Sequence, residues 1–275
     1  MKKTIGLFLI STGNYSVFLQ PYIDSLRNHF FKEDRVIIYL FFDKPTYRFL
    51  LPSRFSLICI PTPTLPFPYP TLYRYKWICS IEKEVQVCDY LFYSDVDMKM
   101  VGDVGNEILP DETTEDGIVA TRHPGFYNGG GAFCDDQRSN AYTLPSNRGA
   151  YFAGGFQGGA TKKYMEAVKY MNDGIEDDSK KNVMATWHDE GHWNHYLSTR
   201  KHKTLTPEYC MIEQIDQRAV YGITHLVPKL IALKKDHEKI RTLENMPMQE
   251  KNEEELTEAE LHDKKREEWL RSGNM

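Results

Sequence analysis

The chain holds five cysteines, Cys59, Cys79, Cys88, Cys134 and Cys210, and no two of them form a C-x-x-C pair. An odd, scattered set supports neither a disulfide framework nor a thiolate zinc site, and it suits a reducing compartment. No apolar run approaches the roughly 20 residues that a membrane span needs. The opening MKKTIGLFLISTG places two lysines before an apolar stretch. That stretch is only strand-length and no A-x-A-like cleavage site follows it, so a buried first strand is expected, not a signal peptide. Charge of one sign is lacking too. The formal net charge is -5, and residues 242–275 carry ten acids against five bases, which leaves 29 of each in the preceding body. A neutral body offers nucleic acid or an anionic membrane no electrostatic hold, so neither is an expected partner. There is no internal repeat and no G-x-G-x-x-G. The segment GGFQGG has the wrong spacing, and no acid follows at about 20 positions to read a ribose. What is present is 275 residues at 41% hydrophobic, enough for a large core.

Residues 5–10 and 36–42 (VIIYLFF) are apolar without alternation, the pattern of strands covered on both faces. Between them, residues 15–31 carry Phe18, Tyr22, Ile23, Leu26 and Phe30 at helical spacing. Strand, helix, strand predicts an α/β fold built on parallel pairing. A third strand at 57–60 runs into PTPTLPFPYP, whose prolines suit neither a ladder nor a helix interior and mark a stiff surface loop. A helix over 71–87, with Leu72, Tyr75, Ile78, Cys79 and Val85 on one face, leads to the strand DYLFYSDVD. Glycine-rich loops follow, FYNGGGAF and FAGGFQGG, then a helix over 162–171, so the second half is expected to be loop-rich. Residues 242–275 read as a charged tail, either a solvated helix or disordered, with Leu256, Leu261, Trp269 and Leu270 in a weak stripe.

Two stretches carry chemistry. In YLFYSDVDM an apolar strand ends in Asp95 and Asp97, which share a side because residues i and i+2 of an extended chain do. Two adjacent carboxylates repel unless a cation or proton lies between them, and a hard divalent ion such as Mn²⁺ or Mg²⁺ suits them. A turn after a strand is the plainer alternative. In WHDEGHWNHY, His188, His192 and His195 would align on one helical face as in a zinc site. However, Asp189 stands where H-E-x-x-H would put glutamate. An ordinary polar helix start with Asp189 and Glu190 in its first turn is the alternative to that zinc hydrolase reading.

Taken together, DVDM, HPGFYN, YFAGGFQGG, WHDE and LTPEY, in this order, resemble the retaining glycosyltransferases of family six. That family holds the histo-blood-group A and B transferases and the α-1,3-galactosyltransferases, with soluble bacterial and viral members. The resemblance runs over residues 5–241. It implies a single GT-A domain over residues 1–241, with a Rossmann-like nucleotide half to about residue 100 and an acceptor half beyond it. Because no anchor or stem precedes the first strand, a soluble bacterial or viral protein of the cytoplasm is expected.

The resemblance also assigns roles. Asp95 and Asp97 match the D-x-D that holds Mn²⁺ on the diphosphate of a UDP-sugar, which makes metal dependence an expectation. Glu190 matches the catalytic glutamate, as nucleophile or as stabiliser of an oxocarbenium-like carbon, and Asp189 and Arg74 match donor-sugar contacts. Tyr15 falls where an aromatic stacks on uracil, beside Ile10, Ser11 and Thr12. Lys235 and Arg241 match phosphate clamps in a closing segment, and His123, Cys134 and Trp187 match acceptor contacts. Ala153, Gly154 and Gly155 match the stretch that sorts donor sugars by bulk, and their small size favours UDP-GalNAc over UDP-Gal. A terminal β-galactoside, fucosylated or not, is the implied acceptor. One departure is Ile212, which stands where mammalian members carry an acceptor-binding aspartate, with Glu213 beside it. A nucleotide- or carbohydrate-binding protein of the same fold without chemistry is the competing reading.

Overall fold

The computed structural model describes residues 2–44, 49, 51, 53–111 and 116–241. The tail expected over 242–275 lies outside them. In chain order, β1 (Thr4–Ser11), α1 (Ser16–His29), β2 (Arg35–Phe42) and β3 (Phe55–Pro61) come first, with all three strands parallel. The unbroken apolar runs have a direct cause. Ile5, Leu7 and Leu9 pack on one side of the sheet with Leu19, Tyr22, Ile23 and Leu26 of α1, while Phe8, Ile37, Tyr39 and Phe41 fill a second core on the other side. Truncating fully buried Leu26 to alanine would cost about 2–5 kcal/mol.

The helix expected over 71–87 is broken into α2 (Tyr69–Leu72), α3 (Arg74–Cys79) and a short 3₁₀ turn, Glu84–Val87. At the break the Ser80 hydroxyl donates to the Trp77 carbonyl at 2.6 Å, offering the backbone a non-helical alternative. Next come β4 (Tyr90–Ser94), parallel to β1, then β5 (Met98–Met100) and β6 (Ile118–Arg122).

FAGGFQGG is not a loop. It forms β7 (Phe152–Ala160), buried throughout and antiparallel to both β4 and β6. The neighbours sit too close for side chains: a Cβ on Gly158 would lie 2.4 Å from the Leu91 carbonyl oxygen, and one on Gly159 2.2 Å from that of Gly117. α4 (Thr161–Lys180) is about twice the expected helix and buries Tyr164, Val168 and Met171. α5 (His188–Leu197), β8 (Lys203–Leu205), β9 (Met211–Ile212), α6 (Ile215–Val220), β10 (Leu230–Ala232) and α7 (His237–Arg241) complete the described chain.

The main sheet has seven strands in the order β3-β2-β1-β4-β7-β6-β8, and a three-stranded sheet, β5-β10-β9, ties the segment after β4 to the C-terminal part. This mixed α/β architecture is the GT-A arrangement that the motifs imply. Among the described residues no helix is long and apolar enough to cross a membrane.

Candidate active site

The site is assembled on an unpaired edge of β7. β4 ends at Ser94, opposite Phe156, so residues 152–155 of β7 have no strand on that side. On the other side the register jumps from Ala120↔Gln157 to Thr121↔Ala153, a bulge that releases Gly154, Gly155 and Phe156 from β6. Buried backbone polar groups need partners, and site residues supply them. Asn194 accepts from the Phe152 N–H and donates to its carbonyl, both at 2.8 Å, and also donates to the Glu190 carbonyl at 2.9 Å. The Gly154 N–H donates to Glu190 Oε2 at 2.8 Å, and the Asp95 N–H donates to the Gly155 carbonyl at 2.9 Å. The Gly154 carbonyl accepts from Arg74 at 2.9 Å.

Glu190 reaches this edge through a strained turn. Trp187 and His188 have φ of +61° and +53°, left-handed values that cost bulky residues about 1–3 kcal/mol each. Bonds from the His188 N–H to Ala185 and from the Glu190 N–H to Trp187, at 2.9 and 3.0 Å, hold the turn. They start α5 with Asp189 and Glu190 in its first turn.

Asp95 and Asp97 follow the end of β4 and both line the first cavity, while Val96 between them is buried in the α1-side core. Arg74, 3% exposed, is the hub beside them. It lies 3.0 Å from Asp189 and 3.2 Å from Asp95 Oδ1, with its guanidinium 4.0 Å above the Tyr93 ring. The Tyr93 hydroxyl donates to the same Asp95 oxygen at 2.7 Å. Asp97 Oδ2 faces the Lys235 ammonium, and its backbone carbonyl accepts from the Leu233 N–H at 3.0 Å, which pins the segment carrying Lys235 and Arg241 over the site.

Burial sets the electrostatics. It pushes the Asp189 carboxyl up to about 7 against the pull of Arg74, and Asp95 and Glu190 nearby add to the rise. Burial also works against the Arg74 cation, but Asp189, Tyr93 and Asp95 overcome it and hold that group above its ordinary value. The Lys235 ammonium is lowered to about 8 by burial, with Asp95 opposing the fall and Arg241 assisting it. Burial raises the Tyr15 phenol, against Arg241.

Two adjoining cavities result. The first, about 190 Å³, is lined by Ile10, Thr12, Tyr15, Asp97 and the edge of the proline-rich loop. The second, about 350 Å³, is lined by His123, Gly154, Gly155, Trp187, Asp189 and Glu190. Phe67, Thr71, Arg74, Asp95, Lys235 and Arg241 border both.

Three expected site residues line neither cavity. Ser11 is fully buried in β1, Ala153 packs into the α1-side core, and Cys134 is fully buried with Ala141 and Ala185. Ile212 lines neither cavity, and Glu213 accepts from the Lys234 N–H at 2.7 Å. The three histidines are engaged separately. His188 meets the Phe67 ring edge-on, His192 lies 3.4 Å from Asp178, and His195 bonds the Tyr142 carbonyl and the Tyr170 hydroxyl. They form no common metal site.

Sequence reading missed Phe67, Tyr93, Phe126 and Asn194. Phe67 sits in the supposed surface loop yet stacks under Arg241, 3.6 Å from ring centroid to guanidinium. Its signal was an aromatic flanked by prolines. For Asn194 the signal was helical spacing, four residues after Glu190.

The sequence pattern of glycosyltransferase family 6 matches residues 1–242. Histo-blood group ABO system transferase 1 of Rattus norvegicus is 32% identical over 250 residues, covering 86% of this chain and 68% of that protein. Globoside alpha-1,3-N-acetylgalactosaminyltransferase 1 of Gallus gallus is 32% identical over 222 residues, 76% of this chain and 62% of that protein. The O-antigen biosynthesis glycosyltransferase WbnI of Escherichia coli is 26% identical over 213 residues, 76% of this chain and 88% of that protein. The chain therefore belongs to glycosyltransferase family 6 and is a hexosyltransferase.

Proposed function

We propose that this protein transfers N-acetylgalactosamine from UDP-GalNAc, with UDP-Gal as the alternative donor, to the 3-hydroxyl of a terminal β-galactoside, with retention and in α linkage. One observation carries the reading: Glu190 opens on one cavity, Asp97 on the other, and Arg74 with Asp95 forms part of the wall between. The nucleotide belongs in the first cavity, where Tyr15 and Ile10 offer apolar surface to a base. The sugar and acceptor belong in the second, beside Glu190, His123 and Trp187. GalNAc is favoured by the name of the Gallus gallus relative, an N-acetylgalactosaminyltransferase, and by two residues without side chains, Gly154 and Gly155, that line the second cavity.

The residues fit a divalent ion. Asp97, 5% exposed, already faces a cation, the Lys235 ammonium, so its place in the fold calls for positive charge. Among the described residues no three His, Cys, Asp or Glu side chains converge as a metal cluster. An ion held by Asp95 and Asp97 would thus take its other ligands from diphosphate and water, as Mn²⁺ and Mg²⁺ commonly do. Such an ion supplies positive charge to offset what grows on the departing UDP.

The protein's own groups do the rest. Lys235 and Arg241 turn their charge to the phosphates, and the segment over them keeps out water that would hydrolyse the donor. Arg74 orients Asp189, whose carboxylate accepts from a sugar hydroxyl. Glu190, held by the Gly154 N–H, faces the anomeric carbon and stabilises positive charge there or attacks it. Incubation with UDP-GalNAc or UDP-Gal, Mn²⁺ and a panel of β-galactosides is expected to release UDP and form an α-linked product. No turnover of any UDP-sugar, hydrolysis included, would refute the reading. UDP binding that persists with Glu190→Gln as active as the parent would favour a binding protein instead.

A further inference from the structure

We infer that Tyr93 is a positioning residue that locks the Asp95 carboxylate to the Arg74 cation in the wall between the two cavities, an inference that rests on the function proposed above. Tyr93 and Asp95 are two apart at the end of β4 and therefore share a side. The phenol uses both of its chemical faces. Its hydroxyl donates to Asp95 Oδ1 at 2.7 Å, and its ring carries the Arg74 guanidinium at 4.0 Å. Arg74 donates to the same Asp95 oxygen at 3.2 Å, which closes a triangle of three contacts. With Oδ1 accepting twice, Oδ2 is the oxygen left beside Gly155, where a Cβ on that glycine would lie 3.0 Å from it. Arg74, held over the ring, keeps its other nitrogen on Asp189 and on the Gly154 carbonyl. Arg74 already bridges Asp95 and Asp189, and Tyr93 fixes that bridge at both of its members, the ring holding the cation and the hydroxyl holding the carboxylate; phenylalanine in its place keeps the first contact and loses the second.

Two variants separate the contacts. Tyr93→Phe keeps the platform and removes the donor; Tyr93→Leu removes both. Calorimetric titration of UDP in the presence of Mn²⁺ is expected to show about ten-fold weaker binding for Tyr93→Phe, the scale of one lost hydrogen bond to a charged group. Its donor KM should rise by a similar factor, with kcat falling less. Tyr93→Leu should add a further fall in kcat of about ten-fold, because Arg74 loses its seat under Asp189. Wild-type affinity and KM in Tyr93→Phe would overturn the inference, and so would equal losses in both variants that track the melting temperature. Tyr93→Phe, a one-atom change, keeps the test open where Tyr93→Leu fails to fold. If the parent protein binds no UDP with Mn²⁺, the proposed function falls and this role falls with it; if the parent binds and Tyr93→Phe binds equally, only the role of Tyr93 falls.

Discussion

Replacing Asp189 with asparagine isolates the cost of keeping a carboxyl group inside the site. The wild-type group is pushed up to about 7 in the folded protein, chiefly by burial, against about 3.9 in an unfolded chain. Below about pH 4 both states hold the proton and the group contributes its full stabilisation. Between about pH 4 and 7 the folded state keeps a proton that the unfolded state releases, so wild-type stability falls as pH rises, by about 1.4 kcal/mol per pH unit. Summed over that window the loss is about 4 kcal/mol, and above pH 7 it is complete. Asparagine has no proton to release. The stability of the wild type minus that of Asp189→Asn, from urea denaturation at a series of pH values, should therefore decline through this window and flatten on either side. Carboxylates far from position 189 are common to both proteins and cancel in the difference, whereas Asp95 and Glu190, which help to raise the Asp189 carboxyl, do not cancel fully and can blunt the slope without reversing its sign. A flat difference curve would refute the burial argument. One that rises with pH would mean that Arg74, at 3.0 Å, outweighs burial and holds the carboxylate ionised.

Three further outcomes are expected. Glu190→Gln should retain UDP affinity, since the first cavity is intact, but lose about 10²–10³-fold in turnover, measured as UDP release. Gly155→Ala places a methyl group 3.0 Å from Asp95 Oδ2, so donor KM should rise about ten-fold for UDP-GalNAc and UDP-Gal alike; a loss confined to UDP-GalNAc would show the methyl meeting the N-acetyl group instead. Asn194→Asp removes the donors to the Phe152 and Glu190 carbonyls and sets a carboxylate against them. It should destabilise the fold by about 2–5 kcal/mol and lower kcat more than UDP affinity, and an unchanged melting temperature would sink that account.

Local pattern made part of this site legible in the chain. β1, β2 and α1 follow from apolar runs and helical spacing because their partners are near in sequence and their two faces are both covered. Asp95 and Asp97 were legible because an apolar strand that stops at two carboxylates announces itself locally, although the chain bends at residues 96 and 97, so that strand periodicity alone does not set their directions. β7 was not, since glycine is a poor strand former and nothing local announces that a Cβ at Gly158 would lie 2.4 Å from a carbonyl oxygen of β4. The same holds for Cys134: its motif position suggests an acceptor contact, yet its burial with Ala141 and Ala185 is set by residues up to 51 positions away. That Phe67 of the proline-rich loop would lie beneath Arg241 depends on a chain segment that arrives only at the end of the described protein.

The antiparallel insertion of β7 explains why these groups meet in one place. In an open parallel sheet, ligands gather beyond the carboxyl ends of the strands. β7 runs the other way beside β4, so its amino end, Phe152–Gly155 before the paired stretch, arrives where Asp95 and Asp97 leave β4. That end carries backbone N–H and C=O groups with no neighbouring strand, and each must be bonded or bear a desolvation cost of about 1–3 kcal/mol. Arg74, Asp95, Glu190 and Asn194 meet that demand, and in doing so their positions become fixed by the sheet and not by loops. A side chain at Gly154 would press on Asp189 Oδ2 at 3.3 Å and on Glu190 Cβ at 3.5 Å. The glycines that hide this strand from sequence reading are thus what lets carboxylates approach its backbone.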